Sequence, residues 1–261
     1  MHGRLVATIL VLAAVMLSPK LGQTQQPQLP ALKPLPMAPI KPYKPVAVTP
    51  PGPYNDASFI AFRKQLADAA DRRDRTALAK LVAMQGFFWM QDKDLADKRK
   101  SGMANLANAI DLDAKDGSGW SALTGYANEP TAAPLPDHAG MVCAPAEPSI
   151  DPQAFVALVK ATQTEPPDWG YPYVDGIEVR SAAKPNAPVV EKLGLTLVRV
   201  LPDAAPPNNA SEPAFLHIAT PSGKAGFVPF EAISGLGSDQ MCYAKQAGGW
   251  KIIGYYGGAA Q

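Results

Sequence analysis

From Tyr171 onward the apolar residues change step. They fall on alternate positions in short runs: Ile177-Glu178-Val179-Arg180, then Leu195 to Leu201, Phe215 to Ala219 and Ala225 to Pro229. Met241 to Ala244 and Trp250 to Tyr255 read as a closing hairpin. Successive side chains on a strand point to opposite faces, so runs of this length, separated by Pro, Gly and Asn, each bury one face of a small antiparallel sheet. The pattern predicts a small antiparallel β-barrel with a C-terminal hairpin over residues 171–261.

Upstream the step is three to four. Asp56 can N-cap a helix running to about Arg73, with Phe59, Phe62, Leu66 and Ala69 as its apolar stripe. Asp74 or Thr76 starts a second, short helix through Leu78, Leu81 and Val82. Gly86 to Met90 is bulky enough for a strand or a buried turn, and Ser101 can cap a third helix through Met103, Leu106 and Ile110. Asp116 to Gly119 is a turn, and Trp120 to Ala127 a further turn or two of helix. Residues 55–129 are therefore a helical region. Residues 130–170 are a proline-rich connector with one helix, started by Asp151-Pro152 and stopped by Glu165-Pro166-Pro167. The fold class is α+β.

Prolines number 28 in 261 residues, about twice the usual share. Ten of the 27 residues from Pro27 to Pro53 are proline, so residues 23–54 read as an extended, disordered linker. It is either a passive tether or a place where a partner docks. Before it, Arg4 and the apolar run Leu5 to Leu17 read as a signal peptide over residues 1–22, because a spanning helix needs roughly 17 to 25 apolar residues. No Ala-x-Ala follows the run, so an uncleaved short anchor is the alternative, and only then would a membrane be a partner. Export places the protein in the periplasm or outside the cell. Cys143 and Cys242 would there form one disulfide closing a loop of about 100 residues, worth up to about 4.7 kcal/mol by loop entropy. The alternative is a pair of buried free thiols.

The pieces Gly176-Ile177-Glu178-Val179-Arg180-Ser181, Asn186-Ala187-Pro188-Val189-Val190, Leu193-Gly194, Leu197-Val198-Arg199-Val200-Leu201 and Gly223-Lys224-Ala225-Gly226-Phe227-Val228 resemble, in order and spacing, the bacterial SH3-like domain family. The resemblance covers about Tyr171 to Ile233. It implies that the first piece opens a barrel, the second lies in a long irregular loop and the last leads into the closing elements. It also implies a binding or targeting role beside cell-wall enzymes or envelope proteins. One departure is the proline-rich insertion Asp203 to Pro213, which leads to Phe215 where relatives often carry tryptophan.

Catalysis finds little footing. Cys143 lies beside His138 but among prolines, which do not open a helix there, and a disulfide would consume its thiol. His2, His138 and His217 have no partner at metal-ligand spacing. Asp92, Asp94 and Asp97 alternate with Lys93, Lys98, Arg99 and Lys100, as a solvated face does. No glycine-rich phosphate loop and no Gly-x-Ser-x-Gly elbow occurs, so no catalytic residue and no cofactor is expected. The net charge is +1, and residues 171–261 carry seven basic and seven acidic side chains, which disfavours nucleic acid.

Aromatics crowd the C-terminal part. Phe227 and Trp250 are expected in the core, whereas Tyr171, Tyr173 and Tyr256 sit where strands start or end and are the expected binding residues. The competing expectation is that these tyrosines seal the barrel against the Asp151 helix, covering Phe155 and Val159. The sequence thus favours a non-enzymatic envelope binding module whose partner is an envelope protein or a cell-wall peptide or glycan. The alternative is a cell-wall hydrolase, or an accessory enzyme, with its site in the helical region.

Overall fold

Packing begins inside the proline-rich stretch. The computed structural model describes residues 40–135, 138–202 and 215–257, so the signal segment, the first part of the linker and the Asp203 to Pro213 insertion lie outside the described residues. From Ile40 the linker is part of the fold, contrary to the expectation of a disordered spacer ending at residue 54. Proline keeps this segment extended. In that conformation Val46 and Val48 turn inward together and are buried. The backbone bonds along the body, with Leu197 N–H donating to Val46 O and Val48 N–H to Leu195 O. Strand β1 (Val48–Thr49) pairs antiparallel with Ser149 and Ile150.

Between Ala57 and Asn128 the chain forms four helices and one short strand. Asp56 caps α1 (Ala57–Asp71), accepting from Ser58 N–H and Phe59 N–H at 2.8 and 3.0 Å. The stripe Phe59, Phe62, Leu66 and Ala69 is buried. Asp74 caps α2 (Arg75–Leu81), and β2 (Phe88–Met90) follows. Ser101 caps α3 (Gly102–Ala109), and α4 (Ser118–Asn128) lies against α1.

The connector holds more than its one helix. It contributes β3 (Ala133–Pro134), β4 (Met141–Ala144) and β5 (Ser149–Ile150) before α5 (Pro152–Thr162), whose N-cap is Asp151. Then come β6 (Trp169–Pro172), β7 (Ile177–Arg180), β8 (Val189–Leu193), β9 (Val198–Val200), β10 (Phe215–Ala219) and β11 (Ala225–Pro229). A 3-10 turn, Phe230–Ala232, leads to β12 (Ile233–Gly235), β13 (Gln240–Gln246) and β14 (Gly249–Tyr256).

Two larger sheets divide these strands. One has the order β12-β6-β9-β10-β11-β7-β8 and does not close into a barrel. The other has the order β2-β14-β13-β4-β3. The C-terminal hairpin β13–β14 therefore belongs to the helical part and not to the sheet that precedes it. The reason is the complement it offers: Met241, Tyr243, Trp250, Ile252 and Tyr255 share one core with the α1 stripe, Leu78, Leu106 and Leu123. Phe59 meets Tyr243 edge to face, with ring centroids 5.0 Å apart. The other face of this sheet carries Cys143 and Cys242, which are directly opposite on β4 and β13 and joined as a disulfide. Val189 and Val190 open β8, paired with β7, whereas Asn186 to Pro188 lie in the irregular loop before it.

Candidate functional site

The sequence-derived trio separates. Trp169 and Tyr171 of β6 point into a core shared with Leu197, Leu236 and α5, where Leu158, Phe155 and Val159 cover them. The Trp169 indole N–H donates to Thr164 Oγ1 at 2.8 Å. Burial pushes the Tyr171 hydroxyl above its ordinary pKa, and a hydrogen bond with the Ser234 side chain opposes that shift. Tyr171 thus does what the competing expectation described and seals this sheet against α5. Tyr256 lies in the other sheet, with its ring edge to face on Phe88 at 5.3 Å beside the disulfide cluster. It shares no patch with the other two.

Tyr173 is the exposed member. It follows Tyr171 by two residues, so it leaves the strand on the same side, but β6 ends at Pro172 and nothing covers it fully. Its ring rests on the edge of Tyr171, 6.0 Å between centroids, and 48% of its surface is accessible. Its backbone N–H donates to Ala232 O, the last residue of the 3-10 turn. That contact sets Tyr173 and Val174 beside the turn that Phe230 opens. Val174 and Phe230 are each 58% exposed. A fixed main-chain hydrogen bond thus presents three large apolar side chains to water, flanked in sequence by Asp175 and Glu231. Large exposed apolar side chains need a partner to be covered, which makes these three the candidate contact residues of this sheet.

Val174 and Phe230 were missed by reading alternation alone. A signal existed: Pro229-Phe230-Glu231-Ala232 interrupts the period-two step, and a large aromatic at such a break has no strand face to join. Phe227, expected in the core, is half-buried and stacks on His217 at 4.5 Å. Trp250 is core, but of the helical part.

Among the described residues no three His, Cys, Asp or Glu side chains gather as a metal ion would require. His138 is exposed, and Cys143 is bonded to Cys242. Asp94 and Asp97 pair with Lys98 and Arg99 on the surface. Tyr126, Tyr255 and Asp239 form one titratable cluster: Tyr255 OH donates to Asp239 Oδ2 at 2.8 Å and lies 3.1 Å from Tyr126 OH. Burial pushes Tyr126 up to about 12, and burial with its acidic neighbour pushes Tyr255 higher still, so both phenols stay protonated donors. They brace α4 to the hairpin. The Ser58 hydroxyl is held on both sides, donating to Asp56 and accepting from the Trp250 indole N–H at 2.9 Å. No family model matches the chain, and no curated protein or solved structure matches it either.

Proposed function

We propose that this protein is an exported, non-catalytic binding module of the bacterial envelope, and that residues 169–236 form an SH3-like unit whose ligand surface is Tyr173, Val174 and Phe230. The observation that carries the reading is the exposure of Tyr173, Val174 and Phe230 on either side of the Tyr173–Ala232 hydrogen bond. The SH3-like assignment draws support from the connection of the strands. β9, β10 and β11 run as an antiparallel meander, and the chain returns after the 3-10 turn so that β12 pairs with β6, the first strand of the unit. A fold does not fix a function, so the patch and not the topology is the site.

The ligand is an envelope protein or a cell-wall peptide or glycan. Aromatic side chains suit either, since they offer large apolar area at small entropic loss and stack on sugar or proline faces. The experiment incubates the mature chain with purified cell-wall sacculi and follows both retention and release of soluble fragments. Saturable retention without fragment release is expected. Release of wall fragments that tracks protein concentration would favour the hydrolase alternative.

A further inference from the structure

On the helical part, away from the aromatic patch in the chain, two depressions of about 430 and 580 Å3 adjoin through Lys80 and Lys251, which line both. Each is the size of a small-molecule site, and the two meet at these shared lysines. Their lining comes from α1, the last turn of α2, the turn joining β13 to β14 with the strand ends beside it, and the segment entering α3. The lining of the larger depression is mainly apolar: it includes Val82, Met84 and Met103, and Met84 is 78% exposed. The rim is cationic, with Lys80, Lys245 and Lys251, and no carboxylate is among the described residues that line it. Lys245 is matched from outside by Asp56 at 3.1 Å. The Lys251 ammonium rests on the Lys80 carbonyl, which orients its charge without neutralising it.

We propose that the two depressions act together as one trough, a second binding site for an extended peptide segment of a partner protein in which acidic side chains alternate with apolar ones. Charge complementarity selects the occupant. An apolar peptide would leave Lys80 and Lys251 without counter-charge, and a small anion would leave the methionine floor in water. An extended chain places alternate side chains on opposite sides, so apolar groups reach the floor while carboxylates reach the rim. Methionine, unbranched and polarisable, adapts its rotamers to different apolar groups, which suits a floor that receives more than one sequence.

The test uses the mature chain and a fluorescent synthetic peptide alternating glutamate with leucine, followed by anisotropy. Saturable binding that weakens as salt rises is expected, with no binding of the same peptide carrying lysine for glutamate. Lys80→Glu and Met84→Asp each change an exposed side chain, and thermal unfolding checks that each variant is folded. Each weakens the peptide by about tenfold or more, the loss typical of a binding hot spot. Lys80→Ala and Met84→Ser give the same direction if a reversed charge disturbs folding. Tyr173→Ala leaves this binding intact, which separates it from the aromatic patch. Absence of saturable binding overturns the proposal, as does equal binding by the folded Lys80→Glu/Met84→Asp double variant. Retention on phosphatidylglycerol vesicles through the same residues, without peptide binding, overturns it in favour of a membrane surface.

Discussion

Asp56 works at three places at once. It caps α1, it holds the Ser58 hydroxyl that receives the Trp250 indole N–H, and it pairs with Lys245, whose ammonium lies 5.1 Å from the Trp250 ring centroid. Hydrogen bonds from Ser58 and the Phe59 N–H, then Lys245, hold its carboxyl well below the usual carboxylate range. A group with a depressed folded-state pKa contributes stability that is present above its unfolded value and is lost as pH falls through the folded one. The melting-temperature deficit of Asp56→Ala is therefore largest near neutral pH and shrinks in acid, below the ordinary carboxylate pKa. A deficit constant across that range would mean the charge contributes nothing. The cap itself was legible in the sequence, because a cap needs only Asp before a helical stripe. The links to Trp250 and Lys245 were not, since they join positions nearly two hundred residues apart and depend on where the hairpin packs.

The hairpin β13–β14 was legible as an element but not as a member of the helical part. Alternation states that a strand has an apolar face, and it is silent on which partner covers that face. Met241, Tyr243, Trp250 and Ile252 fit the aromatic stripe of α1, and that match decided the sheet. The disulfide ties β13 to β4 across 99 residues of chain, so it restrains the unfolded state strongly. Replacing both Cys143 and Cys242 with alanine lowers unfolding free energy in urea by about 2–5 kcal/mol while the near-ultraviolet spectrum stays native-like. Gly254 is the second control on this sheet. A Cβ there would overlap the Phe88 ring of β2, the strand that pairs in parallel with β14. Gly254→Ala therefore costs about 1–3 kcal/mol as an overpacking change, and it raises hydrogen exchange at Phe88 to Met90 before it does so in α1. Unchanged exchange in β2 would contradict this pairing.

Across the whole molecule, the segment from Tyr43 to Thr49 acts as a strap. The Tyr43 hydroxyl lies 3.1 and 3.0 Å from the Leu197 and Ala219 carbonyls, which share its one proton, and its ring meets Trp169 edge to face. Composition alone marked these residues as linker, because proline density hides the buried Val46 and Val48 between the prolines. Removing residues 1–49 uncovers Leu197 and Trp169 and lowers stability on the order of 3–5 kcal/mol, whereas a passive tether would leave the unfolding midpoint where it was. The same large scale holds the functional proposal: one surface seals the fold, and the exposed one beside it is proposed to bind. Tyr171 and Tyr173 are two residues apart, one buried and one exposed, and under that proposal they divide those roles. The most direct measurement pairs retention on cell-wall sacculi with the melting temperature for three variants. Tyr173→Ala and Phe230→Ala should each weaken retention by about tenfold with the melting temperature nearly unchanged, while Tyr171→Ala should cost about 3–5 kcal/mol of stability. Retention per folded molecule that survives both Tyr173→Ala and Phe230→Ala would contradict the account.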